Sequence, residues 1–161
     1  MKKPTLFALL LPSVVLATSI APHSLGDRAR ISNRVVLAQV LSQRVVTENG
    51  DPRRMKTLTD VLVGTDIKGQ GVERLQIVQQ GGDLGLWSAH IPGDAQFKLG
   101  ETAILFLSCR EADRCALVSL GEGKIALDGD QAFVHDMFTR SWSKRAVKDV
   151  IAEIKNAEAR R

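Results

Sequence analysis

Residues 80–107, QGGDLGLWSAHIPGDAQFKLGETAILFL, constrain the fold more than any other stretch. They hold the Gly81-Gly82 pair, a Pro92-Gly93 turn and a Leu99-Gly100-Glu101 turn, followed by an unbroken apolar run at 103–107. Glycine reaches positive φ without steric penalty, and proline presets the φ that a turn needs. The apolar run is too short for a helix and is flanked by turn signals, so it predicts a buried strand. The rest of the chain is then expected to pair around that strand.

Taken in order, residues 24–31 have a weak helical cast and predict a short lead-in turn. Residues 34–46 are rich in β-branched side chains and predict a first strand, apolar on both faces at its start. Asn49-Gly50 marks a hairpin turn. Residues 55–67 alternate, with Thr59, Val61, Val63, Thr65 and Ile67 on one face and Asp60 and Asp66 on the other. Residues 72–80 predict a third strand, and 84–91 a short extra one with Trp87, Ala89 and Ile91 on a shared face. Residues 103–109 and 115–120 predict a hairpin, and 124–128 a last short strand. This pattern predicts an all-β domain over 22–138, a small antiparallel barrel of five to six strands.

The end of the chain changes period. Trp142, Ala146, Val147, Val150, Ile151, Ile154 and Ala157 follow helical spacing, which predicts an amphipathic C-terminal α-helix over 139–161 with Ser141 as N-cap. Its apolar stripe has two readings. It closes an open end of the barrel, or it docks on a partner groove or an anionic membrane surface. The stripe is mostly Val, Ile and Ala, and three acids dilute its charge, which disfavours the membrane.

Residues 1–21 predict a cleaved signal peptide: Lys2 and Lys3, an apolar run over 6–17, then small residues at Ala17, Ser19 and Ala21. Cleavage after Ala17 or Ala21 fits the small-residue rule. No cysteine lies near those sites, so the leader is not that of a lipoprotein. Loss of the leader lowers the net charge from +4 to +2. Residues 139–161 carry seven bases against three acids, whereas 22–138 are net −2, so attraction to anions belongs to the tail. Cys109 and Cys115, the two cysteines of the chain, predict a disulfide in an exported protein. A loop so short contributes roughly 2 kcal/mol.

The pieces Val35-Val36-Leu37-Ala38-Gln39-Val40, Val61-Leu62-Val63-Gly64, Lys68-Gly69, Gly81-Gly82, Phe97-Lys98-Leu99-Gly100-Glu101, Leu105-Phe106-Leu107 and Gly121-Glu122-Gly123-Lys124 fall in a familiar order. Over residues 30–128 that order resembles the netrin-like, OB-type barrel of tissue inhibitors of metalloproteinases and of small secreted bacterial proteins. The resemblance implies an OB-like fold more than an activity. Inhibitors of that family chelate a protease zinc through an N-terminal cysteine, and this chain has no cysteine before Cys109.

The chemistry-bearing residues are sparse. His90 stands near Trp87 and ahead of Pro92-Gly93 without a second ligand at metal spacing. His135-Asp136 suggests a base and its orienting acid, although adjacent residues seldom orient each other that way. Glu101 reads as a turn acid that bonds backbone N–H groups or a nearby base. A lone Trp87 beside Leu86 and Ala89 is expected to be buried. No nucleophile elbow, paired-histidine zinc motif, phosphate loop or dinucleotide fingerprint occurs, so no cofactor or metal is expected. With 4% aromatic residues, nucleic-acid stacking is not expected either.

The expectation is an exported, non-enzymatic module that binds another envelope or extracellular protein. Its candidate contacts are Trp87, His90, Glu101, Trp142, Val147, Val150, Ile151 and Ile154. An inhibitor of a secreted hydrolase is the alternative, and an enzyme without a recognisable motif comes third.

Overall fold

The structure, a computed structural model, describes residues 23–136 and 138–159. The leader expected over 1–21 lies outside the described residues. The chain is mostly β, with a C-terminal helix. Nine strands occur among the described residues rather than five or six: β1 (Arg34–Glu48), β2 (Asp51–Lys68), β3 (Arg74–Leu84), β4 (Trp87–His90), β5 (Thr102–Cys109), β6 (Arg114–Leu117), β7 (Lys124–Asp128), β8 (Gln131–Asp136) and β9 (Ser141–Ala146). Two α-helices among the described residues flank them, α1 (Leu25–Ile31) and α2 (Val147–Ala159).

Asn49 and Gly50, at φ 54° and 76°, form the two-residue turn between β1 and β2. Both central residues of such a turn must be left-handed, which is why Asn-Gly stands there. The pairing path runs β1-β2-β3-β6-β5-β7-β8-β9, with β4 beside β3. β3 and β6 pair in parallel through Gln76↔Arg114 and Ile77↔Cys115. β5 also pairs with β1, from Arg34↔Leu107 to Gln39↔Thr102.

That double pairing explains the apolar run. Alternate residues of β5 feed two separate cores, since successive side chains leave opposite faces. Ala103, Leu105 and Leu107 join Val36, Ala38, Val40, Val61, Leu75 and Ile77. Ile104 and Phe106 join Val35, Ile67 and Ile125, together with Ala132 and Val134 of β8 and residues of both helices. Val150 and Ile154 are fully buried there, and Val147 and Ile151 pack half-buried beside them. The helix stripe is therefore a core face.

Two boundaries differ from the sequence reading. The helix expected from 139 begins at Val147, whose N–H donates to Asp130 O at 2.8 Å. Ser141–Ala146 are instead paired with β8, His135 opposite Trp142, so Trp142 is not part of the helix stripe. Residues 124–128 are likewise not the last strand. The chain turns through Gly129, at φ 58°, into β8, whose Ala132 and Val134 point into the core.

At the other end, residues 24–31 form a full helix rather than a turn. Ser24 Oγ accepts the Asp27 N–H at 3.1 Å, while Asp27 accepts the Ser24 N–H at 3.1 Å, a reciprocal capping box. Gly26 faces α2, where an added Cβ would meet Ala157 Cβ at 3.5 Å, an ordinary contact. The Ser24 hydroxyl, and after it Arg30, hold the Asp27 carboxyl down at about 2, below its unfolded 3.8. A depressed carboxylate adds stability above its unfolded pKa and loses it as pH falls through the folded one. Asp27→Asn is therefore expected to flatten the loss of urea resistance between about pH 4 and pH 2. An unchanged pH profile would show that the box adds nothing to folding.

Candidate interaction site

β3 and β4 form a hairpin made possible by two glycines. Gly81 and Gly82 have φ of 90° and 146°. A Cβ on Gly81 would lie 2.1 Å from Ala89 O, and one on Gly82 would lie 2.7 Å from Val45 Cγ2 and 2.8 Å from Thr57 Oγ1. A side chain at Gly81 would push β4 off β3, and one at Gly82 would push the hairpin off β1 and β2. Thr57 Oγ1 donates to Gly81 O at 2.8 Å and fastens the same point.

Beyond the glycines the hairpin is apolar and uncovered. Leu86, at the turn after Gly85, is 100% exposed and Trp87 is 52% exposed, with Leu84 and Ile91 also open to solvent. The burial expected for Trp87 is thus not found. Among the described residues β4 pairs on one edge alone, and all four of its residues are exposed. At the hairpin base His90 Nε2 meets Asp83 Oδ1 at 3.2 Å. The Ser88 hydroxyl, followed by the His90 ring, holds the Asp83 carboxyl below the usual range. Residues 75–97 contain Asp83 and Asp94 and no Lys or Arg, so this segment's own charge is acidic, while Arg44 of β1 lines the cleft beside it.

Beside the hairpin lies a polar cleft of about 280 Å³, lined by Gln43, Arg44, Thr57, Gln79, Asp83 and Asp94 among others. Gln79 Nε2 donates across its floor to Ala95 O at 2.8 Å, anchoring the segment after β4.

The other residues singled out in the sequence lie elsewhere. Glu101 accepts the Lys98 N–H at 2.7 Å and pairs with Lys124 Nζ at 2.6 Å, which closes the turn before β5. Cys109 and Cys115 are directly opposite in the β5–β6 pair and are bonded. Asn33 supports that end by exchanging two 2.8 Å hydrogen bonds with the Cys109 backbone. His135 Nδ1 meets Glu122 at 2.9 Å, so its acid partner is not its neighbour Asp136. Asp136 instead accepts the N–H groups of Phe138 and Thr139 at 2.8 and 3.1 Å, and these bonds hold its carboxyl low. Val147, Val150, Ile151 and Ile154 belong to the core, whereas Trp142 is 70% exposed.

The sequence reading missed the Arg28–Glu122 contact. Arg28 is 2% exposed, its Nη1 donates to Glu122 O at 2.5 Å, and its guanidinium lies 5.4 Å from the Phe106 ring centre. Its position on α1, four residues after the cap, carries no local signal of burial.

Among the described residues no group of three or more His, Cys, Asp or Glu is placed to hold a metal ion. No helix among them is long and apolar enough to cross a membrane. No known protein-family model matches the chain, and no curated protein is significantly similar to it.

Proposed function

We propose that the protein is an exported, non-enzymatic binding module that recognises another envelope or extracellular protein through the β3–β4 hairpin, carried on a small barrel of OB type. The barrel reading rests on the strand pairings: β5 returns to β1, and β3 meets β6 in parallel. The export reading rests on the leader-like composition of residues 1–21 and on the Cys109–Cys115 disulfide.

One observation carries the binding reading. Leu84, Leu86, Trp87 and Ile91 are exposed together on a hairpin held in place by glycine contacts at its base. Exposed Trp and Leu on a positioned element are what an interface core uses, and such anchors dominate binding energy. The acids of the segment, Asp83 and Asp94, favour a partner with basic residues around an apolar pocket.

The test is affinity capture from envelope and culture-medium fractions, comparing the protein with the Leu86→Ser/Trp87→Ser variant. A partner held by the protein and bound at least about tenfold more weakly by the variant is expected. Equal capture by both would overturn the hairpin as the contact. If the captured partner is a secreted hydrolase whose activity the protein blocks and the variant does not, the hairpin is an inhibitory loop.

A further inference from the structure

Trp142 stands at the centre of a second exposed surface, distinct from the β3–β4 hairpin. β8 and β9 form a hairpin whose inner face, Ala132 and Val134, is core. Its outer face pairs His135 with Trp142 at 4.7 Å between ring centres, and Lys144 with Phe133 at 5.2 Å from ammonium to ring centre. Phe138, near the tip, is 66% exposed, and Arg140 is exposed beside it.

The charge of this tip is opposite to that of the β3–β4 hairpin. Residues 137–148 contain Arg140, Lys144, Arg145 and Lys148 and no acid. Arg145 is paired with Glu153 at 2.7 Å, which leaves Arg140, Lys144 and Lys148 to define the surface charge. The nearest acid before them, Asp136, is turned onto the backbone N–H groups of Phe138 and Thr139.

We propose that this hairpin docks the protein on an anionic phospholipid bilayer, with Phe138 and Trp142 entering the headgroup boundary and Arg140 and Lys144 meeting lipid phosphates. Aromatic side chains settle at that boundary because one part of the ring is apolar and the other tolerates water. Nearby cations add electrostatic attraction to anionic lipid. The exposed rings of Phe138 and Trp142 favour a bilayer over a soluble polyanion, which offers no apolar layer for them to enter. The sequence offers membrane contact only through the helix stripe, and disfavours it there; in the fold that stripe is buried and the exposed Trp142 belongs to β9.

The described residues hold both cores, so a chain beginning at residue 22 serves for the test and removes the apolar leader as a competing anchor. With Trp87→Phe, Trp142 is the one remaining tryptophan and reports its own surroundings. Vesicles of phosphatidylcholine mixed with phosphatidylglycerol are expected to shift its emission to the blue and to co-sediment the protein. Added salt should weaken both effects. Arg140→Gln/Lys144→Gln is expected to lower partitioning roughly fivefold per cation, about 25-fold for the pair. Trp142→Ser should lower it too, with far-ultraviolet circular dichroism unchanged because the side chain is exposed. Absence of a blue shift, or equal partitioning of the glutamine variant, would overturn the proposal. Binding of inorganic polyphosphate as strong as that of vesicles would overturn it in favour of a soluble polyanion. Because the β3–β4 hairpin plays no part in this binding, either proposal can fail alone.

Discussion

Phe106→Ala is expected to destabilise the protein by about 3–5 kcal/mol, the usual range for truncating a fully buried phenylalanine. Phe106 is completely buried on β5, the strand shared by both cores, and the core it joins draws side chains from α1, β1, β2, β7, β8 and α2. Because those elements are far apart in sequence, their side chains cannot all move inward to fill the space a benzyl group leaves. The cavity therefore persists, and its walls lose dispersion contacts as well as transfer energy. A domain of this size has about 5–15 kcal/mol of stability, so the variant should unfold at far lower urea. A loss below about 1 kcal/mol would show that the face of β5 carrying Phe106 is not a packed core.

Arg28→Ala follows from the other side of the same ring, at about 3 kcal/mol. Burial pushes the Arg28 guanidinium pKa down, and the Glu122 carboxylate opposes that shift, its Oε2 lying 3.6 Å from Arg28 Nη1. Removing one member of a buried pair strands the other in a poorly solvated site, which typically costs 3–5 kcal/mol. The low end applies because Glu122 keeps some solvent exposure and a second partner in His135. Arg28 Nε and Glu122 Oε2 make no hydrogen bond within the described structure, so the pair is only partly compensated. Replacing both members, as Arg28→Met/Glu122→Gln, should then recover much of the loss. Because the guanidinium sits over Phe106, the double variant Phe106→Ala/Arg28→Ala should differ from the sum of the single losses by at least about 0.5 kcal/mol. Strict additivity in a urea-denaturation cycle would rule out the coupling.

The two proposed surfaces were not equally legible in the sequence. Gly81-Gly82 and the turns after them marked residues 81–100 as an excursion, and the structure places a glycine-dependent hairpin at its start. The exposure of Trp87 was not legible. A lone Trp among Leu and Ala reads as buried unless one knows that, among the described residues, β4 pairs with β3 alone and all four of its residues are exposed. The β8–β9 surface was hidden more deeply. Trp142 precedes Val147 by five residues and Ala146 by four, a spacing that continues the helix stripe on paper. Hydrogen bonding to β8 ends the helical period before Val147 and places Trp142 opposite His135.

What the chain determines by itself is local. Asn49-Gly50 requires a left-handed turn, residues 103–107 require burial on both faces, and the six-residue separation of Cys109 and Cys115 suits a staple across one hairpin. The 147–154 stripe requires an apolar partner. Tertiary structure alone decided which partner each received. It brought β5 to β1, set β3 parallel to β6, buried Arg28 against Phe106, and gave the helix stripe to the core while leaving Trp142 and Trp87 in solvent. Periodicity records which side chains avoid water. It does not record which distant element arrives to cover them, because that is settled by competition among all the apolar faces as the chain closes on itself.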